Sequence, residues 1–335
     1  MANPCPALPD QAHRRRFIVL TTALLAAAAL LSFLTLSYGN PLPIGSDGFW
    51  TIARLRVKTL VVILIVSAAH ALATVSFQTI THNRILTPSV MGFESLYRLI
   101  HTAAVFFLGA TGVTVLRGVP QFLLQILLMV GLATLLYGWL FGRRHTSLHV
   151  TLLVGLVLGG GLGAMATFLQ RMLTPSEFDL LTAKLIGSLA QAKDEYIIPA
   201  AILMAVVGVL IFRQARTLDV LSLGREVAIN LGVPYRQTTL LILVYTAIAM
   251  SVSTALIGPL TFFGFLVAML AYQLGDTYSH RHLLPLAWLI GYVVMTGAHF
   301  VLRHLFYAQG SVGVIIEFFG GGFFLLYLLR KGRLT

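Results

Sequence analysis

The sequence predicts an all-α polytopic membrane protein of about ten transmembrane helices with both termini cytoplasmic, and three observations carry that expectation. Of 335 residues, 58% are hydrophobic and 10% charged, with a mean hydropathy of +0.89, whereas soluble domains carry about 25% charged residues. Apolar runs recur from Phe17 to Leu329, most of them close to the roughly 20 residues that cross a bilayer as a helix. Arg and Lys stand singly or in short groups between those runs. Helices follow because lipid leaves a backbone N–H or C=O no partner outside its own segment. The net charge of +12 forms no basic stripe and no aromatic-interleaved groove, so membrane topology explains it and nucleic acid is not a partner. The single Cys5 offers no disulfide framework or thiolate metal site, and no redox chemistry is indicated.

Residues 1–16 form a polar cytoplasmic tail ending in His13, Arg14, Arg15 and Arg16, and 17–335 form a single transmembrane domain. The first run, Phe17 to about Leu36, is long enough to span and is expected as an uncleaved helix. Tyr38 to Trp50 is an outer loop, and span two, about Thr59 to Ile80, is approached through Arg54, Arg56 and Lys58. Basic residues on the outer side run against the positive-inside expectation. They are either anchors whose stems lie along apolar surface or a docking surface for an acidic partner.

Thr81 to Ser89 is an inner turn, followed by spans at about Tyr97–Leu108, Val119–Leu140 and Leu148–Leu169. Arg143, Arg144 and His145 mark an inner loop. The glycines at 155, 159, 160, 161 and 163 in span five permit close helix approach and predict a helix deep in the bundle. An outer segment, Gln170 to Glu195, holds a short helix around Phe178 to Ala190. Spans six to ten follow at about Tyr196–Phe212, Leu240–Ile257, Leu260–Leu274, Leu284–Leu305 and Val312–Leu329, with a Gly258-Pro259 turn between seven and eight. On this topology fourteen basic residues fall inside and eight outside, with Arg98 near a boundary, the expected bias.

Leu221 to Gln237, LSLGREVAINLGVPYRQ, is the longest polar interruption on the inner side. It reads as a short helix: Ser222 caps it, Glu226 lies in its first turn, Gly232 closes it and Pro234 blocks continuation. Val227, Ala228 and Leu231 share one face, expected to pack back on the bundle, with Arg225, Glu226 and Asn230 turned elsewhere. On its own the segment is either a connector or a docking element.

No GxxxxGK[ST] phosphate loop, HExxH, GxSxG or paired-Cys metal motif occurs, so the chain has no visible means of hydrolysing ATP. Polar groups at membrane depth are His70, Gln78, His299 and Glu317, and an ionisable group there is a functional-site candidate by default. Glu317 forms a proton relay with a histidine in one reading; in the others it makes a structural hydrogen bond or lies near the outer end of the pathway. His70 and His299 read first as packing residues.

Several segments together resemble the permease subunits of iron-siderophore and cobalamin ABC importers, the FecCD-type or type II importer family. LSLGREVAINLGV resembles that family's cytoplasmic coupling segment; Arg54 to Thr59 sits where its basic approach to span two lies. FQTITHNRILTPSVMGF, GPLTFFGFLVAML and SVGVIIEFFGGGFFLLYLLRK resemble further signatures in the family's order, from about residue 17 to 333. The sequence departs from the pattern in lacking a Pro between the basic residues before span two, in Ala268-Met269 where the family has Pro-His, and in Glu317 where it has a small residue. Asn83 to Tyr97 is similar to the subgroup handling catecholate-type ferric siderophores, often one half of a heteromeric permease.

The resemblance implies a permease domain over 17–335 in the inner membrane, with no enzyme activity and no cofactor or metal of its own. ATP and Mg would be used by a partner pair of ATPase subunits, which would receive a coupling helix at about 221–237 through Leu223, Gly224, Arg225, Glu226, Ala228, Asn230, Leu231 and Gly232. A second permease subunit, preferably a different chain, and a siderophore-binding protein meeting Arg54, Arg56 and Lys58 complete the implied assembly within the lipid. The alternatives are a proton-coupled secondary transporter using Glu317, a permease for cobalamin or haem, a membrane enzyme and a scaffold.

Overall fold

The computed structural model describes residues 11–43, 45–112, 118–141, 148–189, 192–304, 306 and 311–331, and among these there are helices but no strands. Cys5, Arg117, Arg143, Arg144, His145, Ala190 and Arg333 lie outside the described residues.

The axis of the fold is the second helix. Helix α1 covers Gln11–Ser37 and α2 covers Asp47–Thr81. The α2 helix starts within the expected outer loop because Ser46 is extended and its hydroxyl accepts from the Phe49 N–H at 3.2 Å, with Asp47 in the first turn, a favourable charge near the positive end of a helix. It ends where His82 turns left-handed, with the His82 N–H on Thr79 O and the Asn83 N–H on Gln78 O, a Schellman closure. Its 35 residues span about 52 Å, longer than the roughly 30 Å hydrocarbon core, so the helix projects at its Arg54–Lys58 end. From Val62 to Thr81 almost every side chain is buried, because α1, α7, α10, α11 and α12 surround it.

The remaining elements are a wide turn at Ser89–Phe93, α3 (Glu94–Gly112), α4 (Val119–Phe141), α5 (Leu148–Gln170), α6 (Pro175–Leu185), α7 (Asp194–Arg213), α8 (Ala215–Leu221), α9 (Arg225–Asn230), α10 (Tyr235–Ile257), α11 (Phe263–Gly275), α12 (His280–His304) and α13 (Val312–Lys331). Ten of these thirteen helices occupy the places of the ten expected spans. Among the described residues, seven helices are long and apolar enough to cross a membrane, and α11 and α13 are shorter apolar helices. The short outer helix begins at Pro175, earlier than expected, because Glu177 accepts from the Thr174 hydroxyl at 2.8 Å and the Thr174 N–H at 3.1 Å. Those two bonds, the hydroxyl first, hold the Glu177 carboxyl below the usual carboxylate range.

Several buried hydroxyls in the central helices spend their protons on their own helix, while those of Ser76, Thr246 and Ser253 make no such bond. Ser67 bonds to Ile63 O, Thr81 to Phe77 O, Ser251 to Ala247 O and Thr254 to Met250 O. This is how polar side chains are tolerated where water is absent.

The glycine-rich α5 is not deep in the bundle. Its apolar stretch is 22% buried. Only part of the glycine run makes a close approach: a Cβ on Gly159 would meet Gly92 Cα at 2.9 Å, while nothing lies within 4 Å of Gly160 or Gly161. Glycine density gives closeness, not direction, and here it serves one neighbour while leaving another strip open. The outer face of α13, with Val314, Phe318 and Phe319, is likewise exposed.

Candidate functional site

At one end of the bundle the chain leaves α7 and makes the pair α8–α9. Helix α8 is anchored through Ala215, Leu218 and Leu221, each at most 1% exposed, against α2, α7 and α12. Ser222 does not cap the next helix. It closes α8, and its hydroxyl bonds back to Asp219 O at 2.7 Å. Gly224, at φ 104°, takes the N-terminal position of α9 without a side-chain cap. Gly232 closes α9 as expected: at φ 83° its N–H reaches Ile229 O at 2.9 Å, and the Val233 N–H reaches Ala228 O at 3.0 Å, a second Schellman closure.

The expected packing face of α9 is corrected by the structure. Ala228 alone of the three is buried, at 0% exposure, while Val227 and Leu231 are exposed. The helix is too short, and joined too closely to α8 and α10, to bury more than one residue per turn. Leu223, Val227, Ile229 and Leu231 are therefore left exposed, Val227 and Leu231 one turn apart on a common face, beside exposed Glu226 and Asn230 and Arg225, whose guanidinium lies 6.0 Å from the Tyr235 ring centroid. Four large apolar side chains exposed on and beside one six-residue helix, among polar groups, mark an interaction surface.

At the opposite end the three expected basic residues separate. Arg54 is exposed. Lys58 pairs with Asp194 at the start of α7. Arg56, 6% exposed, donates to Thr35 O, Leu36 O and Tyr38 O at 3.1, 3.2 and 2.7 Å, and to Gly39 O at 3.0 Å. Those carbonyls include the unpaired ones at the end of α1, so Arg56 closes α1 and is not a surface docking residue. Arg303, at the end of α12, lies near enough to act on Arg56 electrostatically. Its single charge next to the last apolar residues of span nine was the signal the sequence offered.

The four polar candidates in the spans do not gather into one site. His70 is fully buried in α2, edge-on to Phe263 at 5.2 Å, with neither ring nitrogen hydrogen-bonded. Gln78 is 2% exposed and its amide donates to Arg84 O at 2.6 Å; it fastens the turn after α2. His299 is partly buried near Arg303, His304 and Arg56. Glu317 is exposed on α13, with its carboxylate 3.4 Å from the Thr261 hydroxyl, and that hydroxyl donates at 2.5 Å to Glu94. Glu94, 6% exposed, is a residue that sequence reasoning missed, because span three was expected to begin only at Tyr97. Among the described residues no group of three His, Cys, Asp or Glu is placed to hold a metal.

A bundle of spanning helices with a short helix pair anchored at one end is the architecture of a multi-pass membrane protein. The chain belongs to the FecCD transport family, which matches residues 16–331. It is 47% identical to the petrobactin import system permease protein FatC of Bacillus anthracis, over 98% of this chain and 93% of that protein. It is 36% identical to the petrobactin import system permease protein YclO of Bacillus subtilis (strain 168), over 85% and 90%. The fold matches a solved inward-facing structure of a metal-chelate type ABC transporter with a TM-score of 0.78 at 23% identity, covering 94% of this chain and 99% of the other.

Proposed function

We propose that this chain is the permease subunit of an ATP-driven importer that carries a ferric siderophore of the petrobactin type across the inner membrane. The observation that carries the substrate is the 47% identity over 98% of the chain to a permease named for petrobactin. A second relative named for the same siderophore, at 36%, supports it. The chain does no ATP chemistry; ATP and Mg are consumed by two partner ATPase subunits, and the exposed Leu223, Val227, Ile229 and Leu231 on and beside α9 are the surface they grip. Arg225, Glu226 and Asn230 form its rim, and Gly224, Ala228 and Gly232 fix the helix beneath it.

At the outer end Arg54, Lys58 and Arg303 meet the carboxylates of a siderophore-binding protein, steering its approach more than setting its affinity. The exposed strips of α5 and α13 meet a second permease subunit, in keeping with the heteromeric subgroup that Asn83 to Tyr97 resembles. Glu317 supports this arrangement, since a charged carboxylate on an exposed helix face is costly against lipid and tolerable against protein or a water-filled path.

The test is uptake of iron-labelled ferric petrobactin by cells lacking this chain, with and without its return. Restored uptake is the expected result. Restored uptake of haem or cobalamin without petrobactin would overturn the substrate reading.

A further inference from the structure

Three elements that meet beneath α8 are joined by one chain of polar contacts. The Oδ1 atom of Asp219, on α8, accepts from the backbone N–H of His280 at 2.8 Å and lies 2.6 Å from His280 Nδ1. His280 is the first residue of α12 and is 3% exposed. Its Nε2 lies 2.7 Å from the hydroxyl of Thr79, in the last turn of α2, and that hydroxyl also donates to Val75 O at 2.8 Å. The hydroxyl has one proton. With Nδ1 donating to Asp219, the second contact joins Nε2 and the Thr79 hydroxyl, and the ring tautomer sets which of the two donates. Asp219 thus holds the His280 ring and also caps the amino-terminal end of α12 from another helix, a site that favours negative charge.

The position of this chain matters because apolar packing resists separation but yields to sliding. The contacts of Ala215, Leu218 and Leu221 with the bundle are apolar, and such contacts alone let α8 slip along its neighbours. A charge-assisted bond in which one oxygen takes two donors is directional and fixes register. The neighbouring charged and titratable groups are His82, Arg84, Tyr272 and Tyr278, which line a cavity of about 420 Å³ that also touches Thr79 and His280. Arg84 lies over the Tyr272 ring, 4.6 Å from its centroid. Leu223, one of the exposed apolar residues beside α9, and Ser222 line the same cavity, so the polar chain sits directly behind the surface assigned to the ATPase.

We propose that Asp219, His280 and Thr79 form a latch that converts displacement of the α8–α9 unit into movement of α12 and α2, and so act as positioning residues for transport. This rests on the reading of α9 as the ATPase-docking helix. A latch of this kind transmits force without making contact with ATPase or substrate.

The experiment uses the full-length permease assembled with its partner subunits in proteoliposomes. ATPase co-purification, ATP hydrolysis and uptake of iron-labelled ferric petrobactin are read for Asp219→Asn, His280→Gln, Thr79→Val, Thr79→Ser and Leu231→Asp. The expected result is that Asp219→Asn, His280→Gln and Thr79→Val keep co-purification and hydrolysis within about twofold while uptake per ATP falls about tenfold or more, the scale of losing a charge-assisted contact. Thr79→Ser, which keeps the hydroxyl, retains coupling. Normal uptake per ATP in Asp219→Asn and His280→Gln beside a dead Leu231→Asp overturns the latch alone. A proportional fall of hydrolysis and uptake in all the latch variants, Thr79→Ser included, also overturns it, because that is the signature of a structural role. Leu231→Asp that still co-purifies with the ATPase and transports overturns the docking role of α9 and the latch with it.

Discussion

The guanidinium of Arg56 donates to the carbonyl of Tyr38 at 2.7 Å, just past the end of α1. With its bonds to Thr35, Leu36 and Gly39, this makes a basic residue at the membrane edge a structural closure. Arg56→Ala is expected to lower stability by about 1–3 kcal/mol, the cost of leaving buried acceptors unpaired. A fall in the thermal midpoint of the purified protein, absent in Arg54→Ala, checks it.

Charge reversal at the exposed basic residues is expected to act on encounter with the binding protein. Arg54→Glu and Arg303→Glu, both at exposed positions, should slow association more at low salt than at high salt, because exposed charges separated by more than a Debye length are screened. Association rates measured by surface plasmon resonance across a salt series check this, and a salt-independent loss would count against an electrostatic role.

On α9, Leu231→Asp and Val227→Asp are expected to abolish uptake while leaving insertion and folding intact, since both side chains are exposed. Gly224→Pro should have the same effect by a different route: at φ 104° proline cannot adopt the backbone that opens the helix. Membrane content by immunoblot, read beside uptake, checks the three variants.

The contact of Thr261 with both Glu94 and Glu317 gives a test of the energy source. Transport is expected to follow ATP, and Glu317→Gln is expected to retain a strict ATP requirement with no dependence on an imposed proton gradient. Uptake in vesicles that persists without ATP and tracks the gradient, and that Glu317→Gln removes, would replace the importer with a proton-coupled carrier.

A pH effect is expected at the start of α6. The Glu177 carboxyl is held below its ordinary value by the Thr174 hydroxyl and N–H, so its contribution is present above the ordinary Glu value and is lost as pH falls through the lower folded-state value. Hydrogen exchange of the first α6 turn should accelerate across that acidic window in the wild-type protein, and Glu177→Gln should remove the pH dependence.

The sequence by itself determined the apolar helical segments and their order, because a spanning segment needs a continuous apolar run and the punctuation of Gly232, Pro234 and Gly258-Pro259 is local; it did not set the limits of α2, which begins at Asp47 and not near Thr59, or of α6. It also located the short helix α9 and the glycine that closes it, but not α8 before it. Direction was not local. Arg54, Arg56 and Lys58 lie within five residues of one another, yet one is free, one closes another helix and one pairs with Asp194, because each points to a different neighbour around α2. Val227 and Ala228 are adjacent, yet only Ala228 is buried, because α8 and α10 approach α9 on one side. Glu94 finds Glu317 through Thr261, and Asp219 finds His280 and Thr79, across separations in sequence that no periodicity records. Those meetings follow from helix packing, which places side chains from distant segments at one depth and one azimuth, and only the tertiary structure decided them.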